Sequence, residues 1–365
     1  MIPIQDARSV FTSTLVARWN ELTELAPKNF LRSFFTKKTT SSKEVSIEVM
    51  RGTEKIAVDV LRGTNGNRNS FSTFTEKKFI PPFYNEYFDA TELDRYDLLF
   101  GANANGVGAP IITGMIDQAL EKLNILRYKI ERAYELQCAQ VFESGIVQLN
   151  SGVNIDYKRK AGSMDLKAAD QYWKLTTIDP RIDFIAGGDF LRQTGKSGVG
   201  EFNAILGSAA LAALLGNPFI VNALVKDVKL IDLNMPQKNA MGGVFHGRLS
   251  AGPYIINLWS YPEVYDNSAG VSTAYIDTNY MYLLPVSGAQ FILSFAGVPA
   301  IIRDVRNAEF PEFIGQIESD YWINNYIDPY GKKHVFEILS AGLAIPVSVD
   351  RIYTMKVTGT EVVGG

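Results

Sequence analysis

A long run of helical periodicity dominates this sequence between residues 111 and 143. Apolar or small residues recur there at alternating steps of four and three, which places them on one face of a helix. Pro110 suits a first turn and Gly145 a helix end, and at 1.5 Å per residue the helix would be about 50 Å long. The apolar face is formed by Ile112, Ile116, Ala119, Leu123, Leu126, Ile130, Ala133 and Val141.

The other faces of this predicted helix are charged, with Glu121, Lys122, Lys129, Glu131 and Arg132. One apolar face on so long a helix predicts a spine that lies on the surface of a domain rather than a buried rod. A coiled coil is the alternative, but the apolar face is short and the flanking charges do not follow the pattern that a coiled coil needs.

A period of two residues begins at Lys43 and predicts β-strands. Strand 55–62 leads into a polar, turn-rich tip at 63–70, and strand 71–79 returns from it. Each arm of this hairpin would reach about 26–30 Å. Because an isolated two-stranded hairpin is only marginally stable in water, we expect it to lie against another subunit.

Two aromatic-rich segments, 30–35 and 79–88, have the composition of interface cores. Before them, residues 9–26 form an amphipathic helical pattern that Pro27 ends. After the long helix, residues 146–158 predict a second hairpin with its turn at Asn150, Ser151 and Gly152.

Beyond Asp179-Pro180 the charge density falls and Gly and Ala become frequent, which predicts a second, mixed domain over 178–328. Asp328-Pro329 would mark the return, and the strand-rich residues 334–357 would rejoin the sheet of the first domain. The longest uncharged stretch lies between Glu201 and Lys226. Pro218 interrupts it, so a buried Ala/Leu helix followed by a short strand is favoured over a membrane span.

Composition excludes several classes of function. With 36 Lys and Arg against 39 Asp and Glu, the net charge is −3, whereas a polybasic nucleic-acid coat needs a clear basic excess. One cysteine excludes an internal disulfide framework or a multi-cysteine zinc site. The first 19 residues contain Asp6 and no long apolar stretch, so they predict no signal peptide, and we expect a soluble intracellular protein.

The strongest catalytic motif is the glycine-rich segment 187–197, which follows a predicted strand at 182–186. Its glycine spacing does not match a P-loop, so a solvated loop with an exposed Lys196 is favoured over phosphate binding. Isolated residues are expected to have structural roles: burial for Cys138, hydrogen bonding for His246 and His334, and capping or turn roles for Asp179, Asp183 and Asp189. The sequence predicts no catalytic, metal or cofactor site.

The order of these parts resembles one known family. The segments that carry the resemblance are FLRSFFTKKTTSSKEVSIEV (30–49), KIAVDVLRGTNGNRNSFSTFTEKKFIPP (55–82), the helix 111–143, YWKLTTIDPRID (172–183) and EILSAGLAIPVSVDRIYTMKV (337–357). Together they are similar to the major capsid proteins of lambda-like tailed phages, the capsid protein E family with the Hong Kong 97-type fold. Gly342 departs from the proline that the family often has there.

The resemblance implies an α+β phage major capsid fold in five parts. These are an N-terminal arm (1–42), an extended β-hairpin loop (43–80), a peripheral domain with the spine helix and a β-sheet (81–177), an inserted axial α/β domain (178–328) and return strands of the peripheral domain (329–365). Intersubunit contacts are predicted for Phe30, Phe34, Phe35, Arg62, Arg68, Phe71, Phe74, Lys77 and Phe79.

The same resemblance implies a non-enzymatic subunit that assembles with itself into pentamers and hexamers of an icosahedral shell around double-stranded DNA. Scaffolding, portal and decoration proteins are candidate partners, DNA contact is non-specific, and no membrane or cofactor is expected. The shell would form in the bacterial host cytoplasm and become the virion capsid. Two alternatives stay open: a nanocompartment shell of the same fold, and an enzyme that binds a phosphorylated ligand at 187–200.

Overall fold

The structure is a computed structural model that describes residues 29–49, 75–91, 108–149, 152, 154–225, 231–267, 269–303, 312–317, 320–328 and 333–359. The α-helices there are α1 (Gly108–Glu143), α2 (Pro180–Gln193), α3 (Ser208–Gly216) and α4 (Pro218–Val225). Short 3-10 helices cover Leu31–Phe34, Ala161–Ser163, Ala169–Gln171 and Val349–Arg351.

The strands of the described residues follow in chain order. They are β1 (Thr36–Thr39), β2 (Val45–Val49), β3 (Thr75–Phe79), β4 (Tyr84–Thr91), β5 (Ile146–Gln148), β6 (Asn154–Asp156), β7 (Met164–Leu166), β8 (Glu201–Leu206), β9 (Ile231–Lys238), β10 (Val244–Ala251), β11 (Tyr254–Ser260), β12 (Val264–Asp266), β13 (Ser272–Ala274), β14 (Tyr280–Pro285), β15 (Phe291–Phe295), β16 (Val298–Arg303), β17 (Glu312–Ile317), β18 (Trp322–Asp328), β19 (Lys333–Ser340), β20 (Gly342–Pro346) and β21 (Tyr353–Lys356).

The long helix α1 confirms the predicted spine. On its predicted apolar face Ala119, Leu123, Ile130 and Val141 are buried, while the side chains of Ile112 and Ile116 lie outside the described residues. Of the charged residues predicted on the surface, Glu121, Lys122, Lys129 and Arg132 are exposed, whereas the prediction is wrong for Glu131, in the second half of the helix. Polar and charged side chains there are enclosed by the strands and the chain segments that surround them: Arg127, Glu131, Glu135 and Gln137.

Two small sheets flank α1. In the first, β19 lies between β18 and β4 in an antiparallel arrangement, and both α1–β19 and α1–β4 are in contact. In the second, β15 lies between β1, which is parallel to it, and β20, which is antiparallel. Because β1 and β20 are distant in sequence, this sheet joins the start of the described chain to its end.

A seven-stranded sheet, in the order β7-β21-β14-β8-β11-β10-β9, separates two apolar cores. One core lies between the sheet and the helices α2, α3 and α4, and it includes Trp173, Phe184 and Phe202. The other core contains α1, the 30–35 segment and the opposite face of β8 and β14. The alternation of side chains along each strand sends neighbouring residues to different cores.

Residues 180–193 form helix α2, which corrects the predicted strand at 182–186 and the predicted loop at 187–193. Asp179 is the N-cap, since its side chain accepts a hydrogen bond from the Arg181 amide, and Pro180 occupies the first turn. Gly187 and Gly188 are buried inside the helix. They allow close packing because a β-carbon at these positions would meet Tyr353 and Tyr254 respectively.

The segment after Asn217 is helix α4, which corrects the predicted short strand. The Asn217 side chain accepts a hydrogen bond from the Phe219 amide at 2.9 Å and donates to the carbonyls of Trp173 and Ile178 at 2.8 and 2.9 Å. Pro218 then begins the helix. The break between α3 and α4 is therefore a capped helix start. Within the described ranges, none of the helices combines the length and the hydropathy that a membrane span needs.

Strand pairing tests the predicted hairpins and the return of the chain. The hairpin at 146–158 is confirmed, because β5 pairs with β6 and Gly152 adopts a positive φ of 78° in its turn. For the predicted 55–62 and 71–79 hairpin, residues 50–74 lie outside the described residues. The returning strand β3 pairs with β2.

The C-terminal strands divide between sheets. β19 joins β4, as predicted for the return, whereas β20 pairs with β15 and β21 enters the seven-stranded sheet. The pairing of β18 with β19 also crosses the predicted boundary at residue 328. The division into five parts stays a prediction.

Candidate functional site

Phe30 and Phe35 are buried in their own chain. Phe30 is only 2% exposed and its ring lies 5.5 Å from both Trp259 and Tyr261. Phe35 lies 5.5 Å from Phe291 across the β1 and β15 pair. Residues of the same chain therefore cover most of both rings, and an intersubunit contact of Phe30 and Phe35 stays a prediction.

Phe34 lies between these two rings in sequence and is half-buried. It packs edge-on against Phe30 and Phe142, at centroid distances of 5.4 and 6.1 Å. Part of its ring faces away from this cluster, so an intersubunit contact of Phe34 stays a prediction.

A buried carboxylate ties this segment to the spine helix. Glu135 accepts hydrogen bonds from the amides of Leu31 and Arg32 at 2.8 and 3.0 Å, and the Tyr261 hydroxyl is a third partner. Burial raises the pKa of Glu135 to about 7, although these hydrogen bonds oppose the rise. Only an acceptor can satisfy two adjacent amides of a 3-10 helix, which explains a Glu in the core.

The base of the predicted extended loop is the pair β2 and β3. Val45 pairs with Phe79 at the inner end of this ribbon, and Val45 is buried. Phe79 is half-buried and packs edge-on against Tyr157 at 5.3 Å, while Tyr157 donates to the carbonyl of Ala344. Phe79 therefore anchors the ribbon to its own chain.

The side chains of the other residues predicted to form loop contacts lie outside the described residues. Lys77 pairs through its backbone with Ile47, and its side chain lies outside the described residues. Arg62, Arg68, Phe71 and Phe74 also lie outside them. Their intersubunit role stays a prediction.

The sheet β18-β19-β4 presents exposed aromatic side chains on one face. Along β4, Tyr84 and Phe88 point inward, whereas Tyr87 points outward and is 64% exposed. Phe83, just before β4, is 49% exposed, and Tyr326 on β18 is 48% exposed. We call Phe83, Tyr87 and Tyr326 the aromatic face. Exposed aromatic residues at one sheet are typical of interaction surfaces.

The aromatic face was only partly visible in the sequence. The aromatic composition of 79–88 pointed to an interface, but it did not say which rings face inward. No sequence pattern near Tyr326 indicated that it belongs to the aromatic face. It is brought to the same sheet as Tyr87 only by the pairing of β18, β19 and β4.

The glycine-rich segment around Lys196 does not form a phosphate loop. Its first residues are inside α2, where backbone amides already serve the helix. Arg351 then donates to the carbonyls of Gly195 and Lys196 at 2.8 and 3.0 Å. Lys196 itself is half-buried, which corrects the predicted exposure. The Arg351 guanidinium therefore binds the backbone carbonyls of this turn.

The three aspartates have separate structural roles. Asp179 caps α2, as predicted. Asp183 is buried and accepts from the Trp173 indole at 2.7 Å, with the Lys167 ammonium at 2.9 Å, and Asp189 accepts from the Tyr254 hydroxyl at 2.7 Å. Nowhere in the described ranges do three His, Cys, Asp or Glu side chains meet as metal ligands would.

Cys138 and the histidines also have structural surroundings. Cys138 is fully buried in α1, and burial raises the pKa of its thiol well above the ordinary value, so the reactive thiolate is disfavoured. His246 is hydrogen-bonded to Ser260 at 2.7 Å, and partial burial lowers its pKa. The His334 ring lies 4.2 Å from the ring of Phe336.

Comparison with solved structures identifies the fold. The putative capsid protein of a prophage of Escherichia coli CFT073 is similar over 95% of this chain and 99% of its own, with a TM-score of 0.60 and 16% identity. A phage-related protein from Bordetella bronchiseptica RB50 is similar over 91% of this chain and 93% of its own, with a TM-score of 0.50 and 10% identity. These likenesses show the fold.

Sequence comparison identifies the family. A search of curated proteins finds no match. The family model of phage major capsid protein E, however, matches residues 11–357, which is nearly the whole chain. This chain, an α+β protein with the Hong Kong 97-type capsid fold, therefore belongs to the phage major capsid protein E family.

Proposed function

We propose that copies of this chain assemble as pentamers and hexamers into the icosahedral shell of a tailed phage or prophage, around double-stranded DNA. The role is structural rather than catalytic. Assembly takes place in the host cytoplasm with scaffolding and portal proteins, and decoration proteins are further candidate partners. Membership of the capsid family supports this proposal.

The observation that carries the proposal is the aromatic face. Tyr87 is 64% exposed, although Tyr and Phe are concentrated in interfaces and cores. Several exposed large rings at one sheet are costly on a subunit that stays alone, because they promote non-specific association. Coverage by a neighbouring copy in a shell removes that cost.

The ribbon of β2 and β3 supports the same conclusion. Phe79 and Val45 pack against other residues of the same chain and hold the ribbon in place. The 25 residues that connect β2 to β3 are therefore attached to the subunit at both ends. We propose that residues 50–74, with Arg62, Arg68, Phe71 and Phe74, lie against an adjacent subunit. Many modest contacts of this kind together give a stable shell. Once one contact between two subunits has formed, the next contact between them forms at a high effective concentration.

The proposed contact of residues 50–74 can be tested without changing β2, β3 or Phe79. Replacing residues 52–72 with an Asn-Gly turn keeps β2, β3 and Phe79, so the variant subunit should fold with an unchanged circular dichroism spectrum. We expect it to give no particles in negative-stain electron microscopy. Normal shells from this variant would contradict the proposed role of the loop.

The aromatic face can be tested with a matched pair of variants. Tyr87→Ser removes an exposed ring, and Ile182→Ser removes an apolar side chain with the same 64% exposure on α2. We expect Tyr87→Ser to reduce particle yield about tenfold or more, as loss of an interface aromatic does, and Ile182→Ser to assemble. Equal losses of particle yield in the two variants would contradict a specific role of the aromatic face in assembly.

The contents of purified particles separate the phage shell from the nanocompartment alternative. We expect nuclease-protected double-stranded DNA in particles from the native source. A folded protein cargo in place of DNA would support the nanocompartment and contradict this proposal.

A further inference from the structure

Helix α1 has a second buried side in addition to its apolar face. Five of its residues are spaced four, three, four and four positions apart, so they lie along one side of the helix. Because Glu131 directly follows a residue of the apolar face, the two sides are about 100° apart around the helix. Asn124 is half-buried and the other four residues are buried. We call this set the second line; it consists of Leu120, Asn124, Arg127, Glu131 and Glu135.

The described chain begins over the later part of the second line. Asn29 Nδ2 lies 3.5 Å from the carbonyl oxygen of Glu131. One helical turn further along α1, Glu135 accepts hydrogen bonds from the amides of Leu31 and Arg32 at 2.8 and 3.0 Å. From Asn29 to Arg32 the chain therefore runs parallel to α1. Followed backwards from Asn29, the same direction leads over the earlier part of the second line.

The residues that precede Asn29 have the pattern of a segment that needs a surface to pack on. Residues 1–28 lie outside the described residues. The sequence of 9–26 has the periodicity of an amphipathic helix, with Leu15, Trp19 and Leu22 among its apolar positions. Most of the stability of such a helix comes from packing of its apolar side. The segment therefore needs a partner surface in the folded protein.

Chain length restricts where that partner surface lies. Pro27 and Lys28 separate the segment from Asn29, and an extended chain covers at most about 3.6 Å per residue, so the segment ends within about 11 Å of Asn29. Helices α2 and α4 also expose apolar side chains, among them Ile182 and Phe219. These helices pack on the opposite face of the seven-stranded sheet from α1, which places them out of reach.

The dimensions of the segment match the earlier part of the second line. At 1.5 Å per residue, α1 extends about 16 Å from Leu120 to Glu131. A helix over residues 9–26 would be about 27 Å long. A helix that ends near Asn29 and runs parallel to α1 therefore passes Arg127 and Asn124 and reaches beyond Leu120.

We propose that residues 9–26 form a helix that packs on the second line of its own chain, parallel to α1. Leu15, Trp19 and Leu22 would lie over Leu120 and the half-buried Asn124. The predicted N-terminal arm would then begin with a helix that is fixed to its own subunit. This packing does not depend on shell assembly.

The segment of the same chain is a better occupant of the second line than the same segment of a neighbouring copy. A link of two residues holds the segment beside α1 at an effective concentration of about millimolar or more. A neighbouring copy has no such link in the unassembled subunit, so it competes only at subunit concentrations of that order.

Cysteine labelling of the full-length, unassembled subunit measures how the second line is covered. Asn124 and Ile125 are neighbours in sequence, but Asn124 is half-buried and Ile125 is 58% exposed. We expect a maleimide to react with Asn124→Cys at least tenfold more slowly than with Ile125→Cys. Adding Trp19→Ser and Leu22→Ser should raise the rate of Asn124→Cys to that of Ile125→Cys, because the cover is lost.

A matched control changes the other side of the same segment. Ser13 and Asn20 are seven residues apart, on the side of the predicted helix away from Trp19 and Leu22. Ser13→Ala with Asn20→Ala should leave both labelling rates unchanged. Native Cys138 is buried, so its labelling reports any variant that has unfolded.

Crosslinking tests which chain supplies the helix and does not require the serine variants. A short bismaleimide should join Leu22→Cys to Asn124→Cys within one chain. The pair of Leu22→Cys with Ile182→Cys, beyond the seven-stranded sheet, should not be joined. Mass spectrometry of mixed light and isotope-labelled subunits separates crosslinks within one chain from crosslinks between two chains.

Three results would overturn the proposal. Labelling of Asn124→Cys that Trp19→Ser and Leu22→Ser leave unchanged would mean that other residues cover the second line. The absence of a crosslink between Leu22→Cys and Asn124→Cys would place the segment elsewhere. Crosslinks only between light and labelled chains would assign the segment to a neighbouring copy.

Discussion

Glu135 makes the stability of the subunit depend on pH in a direction that is unusual for a carboxylate. Its side chain is buried and its pKa rises from 4.5 to about 7 because burial disfavours the charged form. The folded state therefore holds this proton more tightly than the unfolded chain. Its contribution to stability is complete below about pH 4.5 and is lost as the pH rises through 7.

The magnitude follows from the two pKa values. A change from 4.5 to about 7, at about 1.36 kcal/mol for each pKa unit, amounts to about 3 kcal/mol. Glu135→Gln has no proton to lose, although it keeps one acceptor for Leu31 or Arg32. Its own stability should therefore show no pH dependence from this site, and it should be lower by about 1–2 kcal/mol, for the lost hydrogen bond, than that of the wild type with Glu135 protonated.

The assay is urea unfolding of the unassembled subunit between pH 4.5 and pH 8. We expect the free energy of unfolding of wild type, relative to Glu135→Gln, to fall by about 3 kcal/mol over this range. Burial also raises the pKa values of Glu131 and Glu143, but both are present in the two proteins and cancel. Glu121→Gln, at an exposed position on the same helix, controls for the loss of one charge. Parallel pH profiles for wild type and Glu135→Gln would contradict a raised pKa of Glu135.

Three further predictions concern packing. Asn217→Ala removes the cap of α4 and the donor to two carbonyls, so urea unfolding should show a loss of about 3 kcal/mol; a loss below about 1 kcal/mol would contradict this role. Gly188→Ala places a β-carbon 2.5 Å from Tyr254, whereas nothing lies within 4 Å at Gly216. Thermal unfolding should therefore show a loss of about 1–3 kcal/mol for Gly188→Ala and none for Gly216→Ala, and equal effects would argue against close packing there. Native Cys138 should react with a maleimide about a hundredfold more slowly than in urea, while Glu121→Cys reacts at once; rapid labelling of Cys138 in the wild type would mean that α1 is not enclosed.

Local sequence patterns correctly predicted the helix and the hairpin that are determined by residues close to one another in the sequence. The spacing of Ala119, Leu123 and Ile130 was enough for α1, because a helix brings residues three and four apart onto one face whatever surrounds it. The hairpin of β5 and β6 followed from its turn residues. The order of such elements along the chain was also enough to suggest the family.

The same local reasoning failed where a distant part of the chain decided the outcome. Residues 182–193 looked like a strand and a loop because two adjacent glycines usually break helices, but Tyr254 and Tyr353 pack directly against them. Glu131 was assigned to a surface by its charge, and the surrounding chain buries it.

Periodicity and turn residues along the chain were enough to place the spine helix and the hairpin of β5 and β6, and composition was enough to mark 30–35 and 79–88 as rich in aromatic residues. Which rings are enclosed, as with Phe30 and Phe35, and which are exposed, as with Tyr87 and Tyr326, was set by the packing of the folded chain. The reason is that periodicity depends on neighbours along the chain. Burial depends on strands and helices that are hundreds of residues apart and meet only when the chain has folded.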